Sequence, residues 1–389
     1  MTDTNQHDRR RYLEFFAGGG MARSGLGANW HCVFANDIDP KKAKSYTENW
    51  GGDHLRVGDI REISVAELPT ADLAWASFPC QDLSLAGGGA GLRGDRSGTF
   101  WPFWHLMKQL IEEERAPSVI ALENVCGTLT SHQGQDFAAI CETYHTAGYR
   151  VGAVVIDAAR FVPQSRPRLF VIGVKSDIQI PQSHCRNKPD PEWHSRGVLT
   201  AYDRLPQRLK ESWVWWHLPC PSARQHKFAD LIEEEPTGVE WHTVEETKRL
   251  LAMMTDVNLA KVREAERAGT RKVGAVYKRT RQDEDGYKVQ RAEVRFDDIA
   301  GCLRTPAGGS SRQLILVVDG PKIRSRLIST REAARLMGLP DSYWLPEKYN
   351  ETYHLLGDGV VVPVVRHLAA NLIEPILMSV HKTDEQEAA

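Results

Sequence analysis

No apolar run in this 389-residue sequence approaches the roughly 18 residues that a membrane-spanning helix needs. The longest runs, at 152–156, 169–174, 314–318 and 360–365, are short, so no membrane span is expected. The first eleven residues are polar and lack the apolar centre of an export signal. Cysteine is sparse: seven residues, an odd number at irregular spacings, do not make a disulfide framework. These absences predict a reducing, cytoplasmic setting. No charge of one sign dominates, since 49 Lys plus Arg against 51 Asp plus Glu leave a net charge of −2, and whole-chain charge does not announce a polyanionic partner. Internal repeats, low-complexity tracts and a paired C-x-x-C are also missing. His217, Cys220 and His226 have loose metal-like spacing without a fourth ligand, so no metal is expected. What remains is ordinary globular text, 41% hydrophobic and 26% charged, long enough for two or three domains and a large core.

From residue 12 to about 175, short apolar runs alternate with helical patterns. Runs at 12–15, 32–35, 73–76, 119–122, 151–156 and 169–174 read as strands, several buried on both faces. Between them, Phe103, Leu106, Met107, Leu110 and Ile111 form a helical stripe over 102–114, with Pro102 suited to its first position. Phe137, Ile140, Cys141 and Tyr144 form another, ending at Gly148. Strand and helix in alternation predict an α/β domain with a doubly wound, mostly parallel sheet. After 175 the periodicity weakens, and residues 261–295 hold 11 Lys or Arg against 6 Asp or Glu. Ordered text resumes near 326, where Ser329 and Glu332 form a capping box ahead of a helix. The expected division is 12–178 for the first part of the main domain, 179–321 for a smaller insert, and 322–381 for the segment that completes the main domain.

In open parallel sheets, ligands bind beyond the carboxyl ends of the strands. The first run leads into Phe16-Ala17-Gly18-Gly19-Gly20, the second ends at Asn36-Asp37, the third leads to Phe78-Pro79-Cys80-Gln81, and the fourth ends at Glu123-Asn124-Val125. Glycines 18–20 allow close backbone approach to a ligand, although glycine turns also open ordinary helices. Asp37 suits a ribose diol. A G-x-G-x-x-G spacing is absent because position 23 is Arg, which argues against NAD and for another adenosine-containing ligand. Asp59 suits either an adenine amino group or a simple turn. Pro79 pushes Phe78 towards extended geometry and so aims the Cys80 thiol past the sheet. The glycine-rich stretch 87–91 suits a closing lid. Glu123 alone reads equally as a helix cap, and Gln164-Ser165-Arg166-Pro167-Arg168 as surface charge; their convergence at one sheet edge is what points to a site.

These motifs, in this order, resemble those of the DNA (cytosine-5) methyltransferases of prokaryotic restriction–modification type. Phe16 to Gly20 is similar to the family's first motif, Phe78-Pro79-Cys80-Gln81 to its Pro-Cys motif, Glu123-Asn124-Val125 to Glu-Asn-Val, and Gln164, Arg166 and Arg168 to Gln-x-Arg-x-Arg. Residues 331–341 resemble the ninth motif and 357–365 the tenth. Asp358 departs from the Asn usual in Gly-Asn-Ser, and Met21 stands where another glycine is common.

The resemblance implies a Rossmann-like, S-adenosylmethionine-dependent methyltransferase sheet with an inserted target-recognition domain. It assigns Cys80 as the nucleophile that adds to carbon 6 of a flipped-out cytosine. Glu123 would hold the ring nitrogen 3 and amino edge and supply a proton, which needs a raised pKa. Arg168 would grip the base, with Arg166 in support. Phe16, Ala17, Gly18, Gly20, Asp37, Ile38, Asp59, Ile60, Pro79, Asp358 and Val360 would line the S-adenosylmethionine site. The expected partner is double-stranded DNA, contacted by basic residues such as Lys278 and Arg279 and by a loop from Thr305 towards Arg312 and Gln313. The enzyme would be monomeric and act beside a separate restriction endonuclease. A cytosine methyltransferase for tRNA shares these motifs. A catalytically silent DNA-binding relative is countered by intact Cys80, Glu123 and Arg168. A small-molecule dehydrogenase explains neither Cys80 nor the insert.

Overall fold

The structure, a computed structural model, describes residues 9–79, 97–282, 285–305 and 312–379. Two compact units divide the chain. The first comprises the residues up to Asp157, then Pro167–Pro221 and those from Val362 onward; the second comprises Ala158–Arg166 and Ser222–Val361. These changes fall at other residues than the sequence boundaries at 179 and 321: residues 179–221 count with the first unit, and 322–361 with the second.

The first unit carries a seven-stranded sheet built from β1 (Arg10–Phe15), β2 (Trp30–Asp37), β3 (Leu55–Val57), β4 (Leu73–Ala76), β5 (Val119–Val125), β6 (Tyr149–Asp157) and β7 (Pro167–Lys175). Their order is β3-β2-β1-β4-β5-β7-β6. β1 to β5 pair in parallel, while β7 runs antiparallel to both β5 and β6. The α/β, mostly parallel sheet expected from the alternation is therefore present. β4 and β5 are buried along almost their whole length, as continuous apolar runs with helices on both faces should be. β3 escaped the sequence reading because it is three residues long and two of them are exposed.

Both expected helices form. Phe100–Glu112 starts two residues earlier than the apolar stripe suggested, since Pro102 is tolerated anywhere in a first turn whose N–H groups have no intrahelical partner. Phe137, Ile140, Cys141 and Tyr144 are the buried face of Gln135–Thr146. A two-stranded ladder of β8 (Cys185–Arg186) and β9 (Trp215–Trp216) packs Trp215 edge-on against His194, and Trp213 and Trp215 share an aromatic cluster with Tyr202. These tryptophans thus make core.

The second unit is built on an antiparallel sheet of β10 (Lys272–Gln282), β11 (Lys288–Arg295), β12 (Leu314–Asp319) and β13 (Lys322–Leu327), in the order β11-β10-β12-β13. Val276, Ala292, Val294, Leu314, Leu316 and Val318 bury one face against Leu250, Val262 and Ala265 from two helices and Met254 from the link between them. The Ser329–Glu332 capping box forms as read, and Glu332 also closes a fully buried ion pair with Arg326 at 2.6 Å. The stretch Tyr349–Ser379 has the length and apolarity of a membrane span, which the sequence reading did not expect. Its helix is interrupted at 359–361, and 67% of the most apolar window is buried, so its apolarity is used inside the protein.

Candidate active site

At the carboxyl edge of the first unit's sheet, the chain leaves β1 in a strained turn. Phe16 has φ of +58°, sparsely populated by residues with a side chain, and Gly18 and Gly20 follow at +58° and +77°. Ala17 N donates to Asn36 O at 2.9 Å, which ties this turn to the end of β2. Gly20 cannot be replaced: a Cβ there would lie 2.5 Å from Trp50 Nε1, the indole that donates to Gly19 O. A Cβ on Gly18 meets nothing within 4 Å, so the space in front of that glycine is open.

Asp37 fixes the loop from the next strand. Its Oδ2 accepts from Gly18 N at 2.7 Å and its Oδ1 from Asp39 N at 2.8 Å. Burial pushes this carboxyl up from its usual value, and Lys42 with the two backbone donors opposes the shift. Ile38, beside it, is 64% exposed, an apolar surface with no core to serve. Asp59 accepts from Arg61 N and so begins the short turn Ile60–Glu62, in which Ile60 is buried. Its turn role is therefore present. Carboxylate acceptors, an open glycine and an exposed apolar side chain on adjoining strand ends fit an adenosine group.

Past β4, Asn124 Nδ2 donates to Phe78 O at 3.2 Å and holds the segment that enters Pro79. Cys80 and the glycine stretch 87–91 lie outside the described residues. At the end of β5, Glu123 is buried, and Arg168 Nε on β7 stands 3.3 Å from its Oε1. Cys126, just beyond, has its thiol pushed up by burial, with Arg168 opposing.

Two other sequence-predicted segments belong to the second unit. Arg166 is buried and donates to Leu303 O, Cys302 Sγ, Gly357 O and Gly359 O, which knits three strands of chain together. Gln164 also ties segments together, donating to Leu336 O and accepting from Leu303 N. Asp358 accepts from Thr305 Oγ1 at 2.5 Å, and Val360 is buried. Met21 is buried in the helix Met21–Leu26. Gln313 is buried too and donates to Val276 O and Leu314 O, whereas Arg312 pairs with Asn350.

Sequence reading missed a buried polar cluster behind the glycine turn. Glu14, inside β1, is 1% exposed and pushed up to about 8 by burial, with Arg23 opposing. Arg23 bonds Tyr46 and His54, and Tyr46 contacts Cys32 Sγ. The available signal was an acid at an inward position of a doubly buried strand.

Comparison with known proteins gives this edge a context. The profile of the C-5 cytosine-specific DNA methylases matches residues 10–374. Type II methyltransferase M.BsuFI of Bacillus subtilis is 25% identical over 382 residues, covering 96% of this chain and 75% of that protein. Type II methyltransferase M.NlaX of Neisseria lactamica is 26% identical over 367 residues, covering 93% and 96%. Among solved structures, S. pombe Dnmt2 methyltransferase superposes with a TM-score of 0.57 at 19% identity, covering 95% of this chain and 99% of that one, which establishes a shared fold.

Proposed function

The chain belongs to the C-5 cytosine-specific DNA methylase family, and we propose that it methylates carbon 5 of a cytosine in one duplex DNA sequence, with S-adenosylmethionine as donor. The observation that carries this reading is the buried Glu123–Arg168 pair at the same sheet edge as the glycine turn and Asp37. Bound S-adenosylmethionine supplies an electrophilic methyl group. Gly18, Gly20, Phe16, Ala17, Asp37, Ile38, Asp59, Ile60 and Pro79 of the first unit would hold it, and the resemblance adds Asp358 and Val360.

Carbon 5 of cytosine is a poor nucleophile. The Cys80 thiolate adds to carbon 6, and the ring becomes an enamine whose carbon 5 is nucleophilic. Glu123 binds nitrogen 3 and the amino edge and provides the proton that neutralises the ring as the adduct forms. Arg168 pairs with the carboxylate that this proton transfer leaves and meets the base's carbonyl oxygen, a fork of fixed geometry against a planar partner. Arg166, bonded to four protein acceptors, acts as a positioning residue. Once carbon 5 carries the methyl group, its proton leaves to solvent, the Cys80–carbon 6 bond breaks with Cys80 departing as thiolate, and nitrogen 3 returns its proton to Glu123. None of this chemistry reaches a stacked base, so the cytosine leaves the helix first.

Target choice falls to the region between the motifs, which the sequence places at 179–321 and whose basic part is β10 and β11. The names of the relatives support a place in a restriction–modification system, with a nuclease acting separately on the same sequence. We take the working form to be a cytoplasmic monomer. Conversion sequencing of DNA from cells that express the chain tests the reading. Protected cytosines in one short sequence context are expected. Complete conversion despite abundant folded protein would overturn it.

A further inference from the structure

β10 and β11 form a ribbon whose outer half runs beyond its neighbour. β12 pairs only with residues from Lys272 to Val276 of β10, whereas β11 pairs with β10 as far as Gln282. Between Tyr277 and Gln282 and between Lys288 and Glu293, five cations (Lys278, Arg279, Arg281, Lys288, Arg291) stand with one carboxylate, Glu293. Residues 283–285, between the two strands in sequence, are Asp-Glu-Asp, a run that repels phosphate, whereas the cations stand on the strands.

Strand alternation sorts these residues onto two faces. Val276, Ala292 and Val294 face the core, so Lys278, Thr280 and Gln290 share that side. Tyr277, Arg279, Arg281, Arg291 and Glu293 lie on the other. There Tyr277 packs so closely on Gly301 that a Cβ at 301 would lie 1.6 Å from its hydroxyl, and Ala300 beside it accepts from Ser165 N. The arginine face is thus the face of the Gln164–Arg166 segment.

On that face the arginines are not equivalent. Arg281 grips Glu293 Oε1 through both Nε, at 2.8 Å, and Nη2, at 2.5 Å. Arg279 lies farther from the same carboxylate, at 3.4 Å, with its guanidinium 5.7 Å over the Tyr277 ring. Arg291 lies directly opposite Arg279 and has no acidic partner among the described residues. Like charges directly opposite destabilise a ribbon, so this pair asks for an anion between or beside them. A carboxylate beside a guanidinium works against phosphate binding but fixes the direction of the fork, which is what reading a base edge requires.

We propose that this ribbon lies in the major groove of the substrate duplex, where Arg281, aimed by Glu293, reads the acceptor edge of a guanine, while Arg279 and Arg291 hold the phosphate backbone. The inference rests on the DNA-methylating reading and assigns the residues that choose the target. A groove of that width admits a two-stranded ribbon, and Arg to guanine O6 and N7 is the bidentate match.

The test is methylation of a pool of random-sequence duplexes by wild type and variants, read by conversion sequencing, with binding measured against salt. Arg281→Lys keeps the charge and loses the fork; Glu293→Gln keeps the size and loses the aim. Both should lose preference at the same one or two positions by about tenfold, with the rest of the site retained. Arg291→Ala should keep the sequence preference and lower the log–log salt slope by roughly 0.9. Arg281 and Glu293 side chains are 50% and 33% exposed, so wild-type thermal transitions are expected for all variants. Folded Arg281→Lys or Glu293→Gln with unchanged preference, or Arg291→Ala with a changed one, overturns the proposal. A wild type that marks a defined site keeps the function reading in either case. A wild type that methylates no duplex in the pool removes both.

Discussion

Arg168 reaches Glu123 across the antiparallel pair of β5 and β7 on a diagonal: it stands opposite Val125, yet its Nε lies 3.3 Å from the Glu123 carboxylate. Diagonal neighbours on one sheet face are within reach of a long side chain. The two side chains are 16% and 8% exposed, so the pair is mostly out of water and each partner depends on the other.

Glu123→Gln should therefore lower single-turnover methyl transfer by ~10²–10⁴ while DNA binding persists. The amide can still contact the base edge but cannot supply the proton. An unchanged transfer rate would reduce Glu123 to a strand-end cap.

Cys80→Ser should abolish transfer and leave cofactor affinity close to wild type, because a hydroxyl of far higher pKa cannot replace a thiolate. Duplexes with 5-fluorocytosine should trap the wild type in a covalent complex stable to denaturant, since fluorine cannot leave as a proton does. Turnover by the serine variant within tenfold of wild type would refute the assignment.

Asp37→Asn should weaken both the fold and the cofactor site. Each Asp37 oxygen accepts a backbone N–H, from Gly18 and from Asp39. An amide offers one acceptor oxygen and turns its NH₂ against the other donor, which costs about 1–3 kcal/mol for the buried group left unsatisfied. Thermal unfolding and calorimetric titration with S-adenosylmethionine should both register the loss. A normal affinity with reduced stability would limit Asp37 to the turn.

The sheet was legible because β1, β2, β4 and β5 are apolar runs ending in residues that a buried strand has no reason to carry, such as Asp37 and Glu123. The edge strand β3 was not, being three residues of which two are exposed. Domain boundaries were less legible for a related reason. Periodicity reports whether an element has a buried face and says nothing of which core buries it, so 179–221, rich in Trp, reads as insert while packing with the first unit. Arg166 and Arg168 look alike in sequence, yet one bonds four protein acceptors and the other meets Glu123. Only tertiary neighbours separate the two.

Glu14 gives the last prediction, a pH dependence of stability. Its folded value is raised from 4.5 to about 8, chiefly by burial, against the Arg23 charge. The unfolded chain then releases this proton near 4.5 while the folded chain keeps it, so stability falls as pH rises through the interval and levels off above about 8. His54 works in the opposite direction: burial and Arg23 lower it to about 4, so its contribution rises with pH and levels off above about 6.5. From 6.5 to 8 the histidines lowered by burial finish titrating in the unfolded chain, so it is comparison with a variant that isolates Glu14. Glu14→Gln removes the titrating group while keeping the side chain's size. Over that window the wild type should lose up to roughly 2 kcal/mol relative to the variant, at 1.36 kcal/mol per pH unit. Urea unfolding of both proteins at pH 6.5, 7.2 and 8 measures the difference directly. Parallel profiles would mean that Glu14 titrates like a solvated carboxylate, and that water reaches the cluster behind the glycine turn.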